Sequence, residues 1–432
     1  MMTLQEVLTS IDEAKKARDF MKDLSPGNSM IIQEKCGGKF EAVTINESDK
    51  ICLIPQIEGS FFLFRGQNQE YIPCYPSIYR GNPSESQIFI NRMRLMLFKH
   101  LIESHPVVNQ FFKKNRFFVD IEGLAQHYGL STSMLDLTNN IDVAMFFATC
   151  KYNSKNDSYE YFNDDEQHEA VLYLFDPLFD NEPCPQNRLD IFNGDIKCIG
   201  LQPFLRPAVQ CGFSLHIEQG CSTKSYMYRF TYTSADSKYY FDKFMQGETL
   251  WVKDELISKT KQIISTKTFS FKLFNETFMH YRPNGFSKTS LKNAVWADGI
   301  TLKVKEPLVV FSENECKTII NRWNNGQGEE FSKIIIRRPW YEYEGIDSDN
   351  KITGIKNNHD YRSLQRLSLK YLLASIIHPQ APQGAEWVNY MNTPLSQHKK
   401  GTNKSQSSKI PAYMEDFFGE NFLTEEDWKI TK

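Results

Sequence analysis

The stretch FFLFRGQ at residues 61–67 constrains the fold more than any other segment. Its four apolar residues have the composition of a buried strand, and an arginine, a glycine and an amide follow directly. An arginine is costly in a protein core unless it is paired or reaches an anion. We therefore expect Arg65 at the end of a central strand, facing a cleft, where Gly66 allows close approach of the backbone or a ligand. The alternative is that Arg65 pairs internally with Asp136.

Length and charge set the class of protein. A chain of 432 residues with 41% hydrophobic residues can bury a large core and predicts two or three domains. The 50 Lys and Arg residues against 53 Asp and Glu residues give a net charge of -3, which provides no global attraction to DNA or to an anionic membrane. The nine cysteines are scattered without a CxxC pair, so neither a disulfide framework nor a zinc site is indicated, and no metal is expected.

The start of the chain, MMTLQEVLTSIDEAKK, lacks the basic segment and apolar run of a secretory signal. No uninterrupted apolar stretch of about 18 residues predicts a membrane span. We predict a cytoplasmic protein with no membrane partner.

Capping signals predict several helices. Thr3 and Glu6 have the spacing of a capping box at the start of an amphipathic helix over residues 3–24. Asp120 can cap the short helix IEGLAQHY, which Gly129 would end in a left-handed conformation. Asn140 or Asp142 opens the next helix, NNIDVAMFFATCKY.

Helical and extended patterns alternate irregularly, which indicates an α+β fold. The polar segment 153–169 is interpreted as a solvated loop before the strand AVLYLFD at 170–176. Beyond residue 222, alternating stretches predict a separate C-terminal α+β region. The predicted divisions are an N-terminal helix and lead-in at 1–44, a main domain at 45–221, a C-terminal α+β domain at 222–378, and a flexible linker with a short aromatic tail at 379–432.

Four motifs occur in order along the main domain. They are FRGQ at 64–67, the PSIYR run ending at Arg80, the block LAQHYGLSTSMLDLTNNIDVAMFFA at 124–148, and RPAVQCGF at 206–213. In this combination the chain resembles the FRG-domain family, over roughly residues 45–220. The resemblance implies a mixed domain with a central sheet flanked by helices.

The motif residues have the side chains of a ligand pocket. A guanidinium fork suits phosphate or carboxylate, and hydroxyls, an imidazole and a helix N-terminus gather in the central block. The alternative for His127 is a purely structural role. The alternative for Thr138 is that it caps the following helix and binds no ligand. The predicted ligand-binding residues are Arg65, Gly66, Gln67, Tyr79, Arg80, His127, Tyr128, Thr132, Thr138 and Arg206.

The motif at 206–213 places Arg206 and Gln210 before the strand GFSLHI, after which Glu218 follows. If one pocket organises the domain, the strand beginning near Val209 lies next to the FFLF strand and brings Gln210 near Arg65. The alternative is an edge strand with solvated ends.

The order of these pieces is similar in outline to the ADP-ribosyltransferase group: an arginine on an early strand, a Ser/Thr-rich strand entering a helix, and a polar residue on a late strand. This resemblance implies a nicotinamide dinucleotide, NAD, as substrate, and Asp136, Gln210 and Glu218 as candidate catalytic residues. No Glu-x-Glu pattern occurs at the late position, which leaves either altered transfer chemistry or binding without catalysis.

Two hypotheses remain at the level of sequence. The chain is an ADP-ribosyltransferase-like enzyme acting on NAD with a protein or nucleic-acid acceptor, or it is a non-catalytic module that binds a nucleotide, a phosphate or an acidic partner. The C-terminal half adds a candidate nucleic-acid contact at Lys333, Arg337 and Arg338 beside Trp340 and Tyr341. The alternative there is an exposed strand end with ordinary surface charge.

Overall fold

The computed structural model describes residues 1–23, 40–44, 51–55, 62–71, 74–113, 119–175, 196–199, 202–220, 226–283, 285–305 and 309–328. The predicted linker and tail at 379–432 and the candidate nucleic-acid contact at 333–341 lie outside these residues.

The described residues form a mixture of helices and strands. The strands are β1 (Met2–Thr3), β2 (Phe40–Thr44), β3 (Ile51–Pro55), β4 (Leu63–Gln67), β5 (Met134–Thr138), β6 (Cys150–Asn153), β7 (Ser158–Tyr161), β8 (His168–Phe175), β9 (Ile196–Cys198), β10 (Gly212–His216), β11 (Tyr226–Tyr232), β12 (Thr268–Ser270) and β13 (Thr301–Lys303). The α-helices are α1 (Leu4–Asp23), α2 (Glu85–Ser104), α3 (Ile121–His127), α4 (Ile141–Thr149), α5 (Leu205–Val209), α6 (Ser234–Lys243), α7 (Leu256–Ser265), α8 (Phe271–Tyr281), α9 (Lys288–Ala297) and α10 (Glu313–Arg322).

A central sheet organises the fold. Within the described residues it has seven strands in the order β1-β11-β8-β4-β5-β10-β9. The β1–β11 pair is parallel and the other pairs are antiparallel. Two-stranded sheets form from β2 and β3, from β6 and β7, and from β12 and β13. The predicted α+β class, with a central sheet flanked by helices, is confirmed.

Strand β4 differs from the prediction in where it ends. Arg65 lies in the middle of the strand, because the ladder with β8 continues through Arg65, Gly66 and Gln67, opposite Tyr173, Leu172 and Val171. The expectation that Arg65 lies at the end of the strand was wrong. An arginine fits a central strand when its side chain, which alternates in direction with its neighbours, reaches polar partners.

The glycine of β4 is required by a helix. Phe64 packs in one core cluster with Val143 and Ala144 of α4. A Cβ at Gly66 would lie 1.8 Å from the carbonyl oxygen of Ala144, so α4 rests directly on the strand backbone. Since side chains alternate along a strand, Phe64 and Gly66 face α4 and Arg65 points to the other face.

The sheet opens between β4 and β5. In the part of the chain that is described, Phe64 and Thr138 form the one backbone bridge between these two strands. Beyond that bridge, Nη1 of Arg65 donates a hydrogen bond to the backbone carbonyl of Asp136 at 2.9 Å. A side chain thus satisfies a carbonyl that a regular ladder would pair with backbone.

Strand β10 does not lie next to β4, and the prediction that it would was wrong. It pairs with β5, which separates it from β4. Val209 ends α5 rather than beginning a strand, and β10 begins at Gly212. Gln210 consequently lies in the turn between α5 and β10.

The capping signals were read correctly. Thr3 accepts from the amide of Glu6 at 3.3 Å while its own amide donates to the Glu6 carboxylate at 2.7 Å. Asp120 accepts from the amide of Gly123 at 3.1 Å at the start of α3. Gly129 has φ of +82° after that helix.

The prediction of a loop over 153–169 was wrong for its first half, because residues 150–161 form a hairpin and only residues 162–167 connect it to β8 without a strand or helix. Strands β6 and β7 pair in register, with Tyr152 opposite Tyr159. The ring of Tyr159 lies 5.0 Å from Phe146 of α4 and 5.4 Å from Trp251. These aromatic contacts bury one side of a segment whose overall composition is polar.

The sheet and core continue past two of the predicted domain boundaries. Strand β1 lies before residue 45 and β11 lies after residue 221, yet both belong to the central sheet. One core cluster joins Phe98 of α2 to Leu273 of α8 and Leu291 of α9. The division at 1–44, 45–221, 222–378 and 379–432 itself stays a prediction.

Replacing Gly66 by Ala should destabilise the fold strongly. The new Cβ would overlap the Ala144 carbonyl, and such overpacking should lower the free energy of unfolding by at least about 3 kcal/mol. Gly129→Ala is the control, because nothing lies within 4 Å of its Cβ position. That variant should lose about 1–2 kcal/mol for the left-handed backbone alone. Urea unfolding of both variants makes the comparison; equal losses would contradict the proposed contact.

Candidate functional site

His127 ends helix α3 and is buried. Its Nδ1 lies 2.8 Å from Oε1 of Gln210. The amide nitrogen of Gln210 donates to the carbonyl of Leu250 at 2.9 Å, which turns the amide oxygen towards His127. An amide oxygen can only accept, so Nδ1 of His127 carries the proton and Nε2 faces the opposite way.

Asp136 presents its carboxylate to this imidazole. Its Oδ1 lies 3.7 Å from Nε2 of His127, and the Asp136 side chain is 34% exposed. Neither atom has a hydrogen-bond partner among the described residues, although both are buried. The internal pairing considered for Arg65 uses the backbone carbonyl of Asp136 and leaves its carboxylate available for another partner.

The backbone of β10 fits closely around the imidazole. A Cβ at Gly212 would lie 3.0 Å from Nε2 of His127. Ser214 stands opposite Asp136 in the β5–β10 ladder, and its hydroxyl is buried without a partner in the described residues. Unsatisfied polar atoms on neighbouring strands are expected at a site that a ligand or water completes.

Two arginines lie near this carboxylate. Burial lowers the pKa of Arg80, the positive charge of Arg65 lowers it further, and the negative charge of Asp136 acts in the opposite direction. Nε of Arg80 donates to the carbonyl of Tyr75 at 3.0 Å. Nε of Arg65 is buried and has no partner in the described part of the chain. Two guanidinium groups close enough to repel one another favour a bound anion.

Tyr173 joins the site from β8, opposite Arg65. Burial raises the pKa of its hydroxyl to about 12, and the neighbouring Cys74 raises it as well. The sequence reasoning missed this residue. The available signal was the single hydroxyl in the otherwise apolar strand segment AVLYLF.

The hairpin β6–β7 approaches the carboxylate from the other side. Burial raises the pKa of Tyr159 above its ordinary value, and the negative charges of Tyr152 and Asp136 raise it further. Asp136 is therefore within electrostatic range of a segment that the sequence predicted to be solvated.

Arg206 has a structural position behind His127. It is 2% exposed and donates to the carbonyls of Val252 at 2.8 Å and His127 at 3.3 Å. Its guanidinium carbon lies 4.0 Å from the Trp251 ring centroid and 4.8 Å from that of Tyr128. These contacts tie the end of α3 to residues 251–252.

Tyr128, a predicted ligand residue, donates its hydroxyl to Asp254. Burial raises the pKa of the Asp254 carboxyl to about 6, while the positive charge of Arg206 acts in the opposite direction. Asp254 and Trp251 were also missed, since nothing in the stretch LWVKDE marks a residue that contacts a segment more than 100 positions earlier.

The predicted threonines are used for structure. Oγ1 of Thr132 donates to Gln126 at 2.6 Å. Oγ1 of Thr138 donates to the carbonyl of Gln210 at 2.7 Å and accepts from the amide of Asn140 at 3.0 Å. Asn140 itself caps α4. The cap of α4 is therefore Asn140, whereas Thr138 bonds the amide of that cap residue and links it to Gln210.

The remaining predicted residues are spread more widely. Tyr79 is buried in the 3₁₀ turn Ser77–Tyr79, where burial raises its pKa and Arg92 lowers it. Gln67 is buried and its Oε1 has no partner among the described residues. Glu218 is exposed and lies two residues after His216, the last residue of β10. Thr138 pairs with Gly212 at the opposite end of that strand.

An open depression of about 670 Å³ lies at the start of the chain, and none of the predicted site residues lines it. Its lining residues are Met1, Met2, Gln5, Glu6, Thr9, Ser10 and Arg229. No group of three or more His, Cys, Asp and Glu side chains that could hold a metal ion occurs in the ranges the structure describes. None of the helices in those ranges is long and apolar enough to cross a membrane.

Comparison with known families agrees with the motifs. Residues 60–157, from the lead into β4 through α4 to the β6–β7 turn, match the family model of the FRG domain. The chain therefore contains an FRG domain, as its motifs predict. The segment with Arg206 and Gln210 lies outside the matched residues. No curated protein and no solved structure matched the chain.

The buried Asp254 should make stability depend on pH. Its pKa is about 6 in the folded protein against an ordinary value of 3.8, so the folded state binds more protons between pH 4 and 6. Stability then falls as the pH rises through this window, by about 2–3 kcal/mol. Asp254→Asn should remove that part of the decline. Urea midpoints at pH 4.5 and 7 measure it, with Asp242→Asn on exposed α6 as control; parallel curves for wild type and Asp254→Asn would contradict the assignment.

Proposed function

We propose that this FRG domain is an enzyme that binds NAD at the opening between β4 and β5 and cleaves the bond between nicotinamide and ribose. The observation that carries the proposal is the Asp136 carboxylate oxygen, which is buried, lacks a partner among the described residues and faces Nε2 of His127. A buried, unsatisfied carboxylate beside an imidazole is costly unless a ligand completes its hydrogen bonds.

The chemistry requires stabilisation of positive charge. When the nicotinamide–ribose bond breaks, its electron pair leaves with nicotinamide and ribose C1 becomes oxocarbenium-like. The negative charge of Asp136 would stabilise that centre. The oxygen of water or of an acceptor group then forms the new bond to C1, and its proton passes to Asp136 or to Nε2 of His127.

The two arginines supply the anion site. Arg65 has a buried Nε without a partner in the described residues, and Arg80 lies within electrostatic range of Arg65. A dinucleotide pyrophosphate placed against them would offset their mutual repulsion. The opening between β4 and β5 places Arg65 on the strand next to Asp136, whose backbone carbonyl it reaches, and Arg80 directly follows the turn Ser77–Tyr79.

Gln210 acts as a positioning residue in this proposal. By accepting from Nδ1 of His127 it keeps Nε2 directed at Asp136. Gln210→Ala should therefore lower the rate of nicotinamide release more than it lowers NAD binding, and the two can be measured on the same preparation. Equal losses in rate and affinity would reject the positioning role.

A non-catalytic binding module is the second candidate. One observation favours it. Two carboxylates were predicted to be catalytic, and Glu218 is exposed past the end of β10, so only Asp136 belongs to the polar group around His127. In that case Arg65 and Arg80 would bind a nucleotide, a phosphate or an acidic partner without reaction.

If the domain is instead a transferase, the acceptor of the ADP-ribose group would be a protein or a nucleic acid.

Asp136→Asn separates the two functions. With NAD labelled in the nicotinamide ring, the variant should release nicotinamide at least about 100-fold more slowly, because it lacks the charge that stabilises the reacting ribose. Its NAD affinity, measured by calorimetry, should stay within about threefold, since the amide retains shape and an acceptor oxygen. Asp242→Asn, which changes an exposed ion pair with Lys238, is the matched control.

Arg65→Ala tests the anion site. It should weaken NAD binding by about tenfold or more, because a charge-assisted hydrogen bond is lost, whereas Arg65→Lys should lie between that variant and wild type. Urea unfolding monitors the loss of the bond to the Asp136 carbonyl. Binding of NAD without nicotinamide release in wild type would favour the binding module. If wild type neither binds NAD nor releases nicotinamide, both the enzyme and the binding module are rejected for NAD.

A further inference from the structure

The segment from residue 266 to residue 305 has an unusual charge for this chain. It carries seven basic side chains and two acidic ones, Glu276 and Asp298, whereas acidic residues outnumber basic ones in the whole chain. Glu276 is already in contact with Nε2 of His100 at 3.0 Å. The basic residues are Lys267, Lys272, Arg282, Lys288, Lys292, Lys303 and Lys305.

These cations are not neutralised within the described structure. None of the seven forms an ion pair with a carboxylate of the described residues, and all except the half-buried Lys292 are exposed. Other lysines of the C-terminal region differ in this respect: Lys243 pairs with Asp142 and Lys261 with Asp157, each at 2.8 Å. A concentration of unpaired lysines produces a local positive potential in spite of the net negative chain.

The lysines lie among aromatic rings along helices α8 and α9. Nζ of Lys292 is 5.0 Å from the ring centroid of Phe271 and 4.4 Å from that of Trp296. Nζ of Lys288 is 5.7 Å from the ring of Phe278. The two lysines are one turn apart on α9, and each contacts a ring of α8.

A third lysine, which is exposed, lies on the small sheet, whose strand β12 leads directly into α8. Lys303 of β13 stands opposite Ser270 of β12, the residue directly before Phe271. Leu291 and Val295 turn inward from α9, which leaves the polar side chains of Thr289, Ser290 and Asn293 exposed. We call this surface, with Lys288, Lys292, Trp296 and Lys303, the basic face.

We propose that the basic face binds single-stranded nucleic acid. Lysines spaced along a helix neutralise successive phosphates, and Trp296, which is 44% exposed, offers an indole on which a base stacks. Hydroxyl and amide side chains beside them are common donors to phosphate oxygens. The alternation of cations with aromatic rings and short polar side chains favours a nucleic-acid strand over an acidic peptide or an anionic membrane.

The proposal is independent of NAD chemistry at Asp136. The residues of the basic face belong to α9 and β13, whereas the polar group around His127 is built on α3, β5 and β10. If the domain also transfers ADP-ribose, a strand held at the basic face would be a nucleic-acid acceptor. Failure of either function leaves the other open to measurement.

The test uses the full chain and a fluorescent 20-nucleotide single strand of uridine or thymidine, followed by anisotropy at several salt concentrations. A plot of log affinity against log salt has a negative slope. In the triple variant Lys288→Gln/Lys292→Gln/Lys303→Gln this slope should become less steep by about 2, because each lost phosphate contact removes about 0.7. At fixed salt this variant should bind at least about tenfold more weakly. Trp296→Ala should lose at least about fivefold through base stacking.

The controls assign the effect to this surface. Lys238→Gln changes an exposed lysine that is paired with Asp242 on α6, and it should retain wild-type affinity and salt slope. Near-wild-type urea midpoints for the variants exclude unfolding as the cause of weak binding. Absent binding by wild type, or equal binding by wild type and the triple variant, would overturn the proposal. Binding to vesicles of anionic phospholipid with no binding to either strand would also overturn it, in favour of a membrane surface.

Discussion

The contact between the Ala144 carbonyl and Gly66 determines how the centre of this protein is arranged. Helix α4 can lie directly on β4 because residue 66 has no side chain. Once Phe64 and Gly66 are committed to that helix, the alternation of the strand sends Arg65 to the other face. The position of the arginine follows from the packing of the residues on either side of it, and no separate element is needed to direct it.

Arg65 then occupies the opening where β4 and β5 cease to pair. Its bond to the Asp136 carbonyl holds the two strands together by a side chain, and the adjacent carboxylate remains available. In a regular antiparallel ladder the backbone would fill this space. An interrupted ladder therefore provides both the room and the polar atoms of a site without any cost to the flanking strands, which pair normally with β8 and β10.

Local signals in the sequence were reliable where the cause is local. Caps at Thr3 and Asp120 and the left-handed Gly129 depend on a few neighbouring residues, and these predictions were confirmed. Long-range arrangements were less accessible. Three features depend on segments that are distant along the chain. They are the order of the strands, the burial of the hairpin against Phe146 and Trp251, and the contacts of Arg206 inside the protein. The motifs identified His127, Asp136 and Gln210, which the structure brings together, whereas the contacts that each of them makes depend on tertiary structure.

The contacts made by residues 250–254 mean that the FRG domain is not self-contained. Leu250 holds Gln210, Val252 holds Arg206, and Asp254 holds Tyr128, so the orientation of His127 depends on a segment nearly a hundred residues beyond the end of the family match. A fragment cut at residue 221 would keep all four motifs and lose this support, and a fragment cut at residue 157 would also lose Arg206 and Gln210 themselves. The residues that match the family model and the residues that pack around His127 thus have different limits along the chain. Inactivity of an isolated FRG fragment would therefore say little about the whole chain.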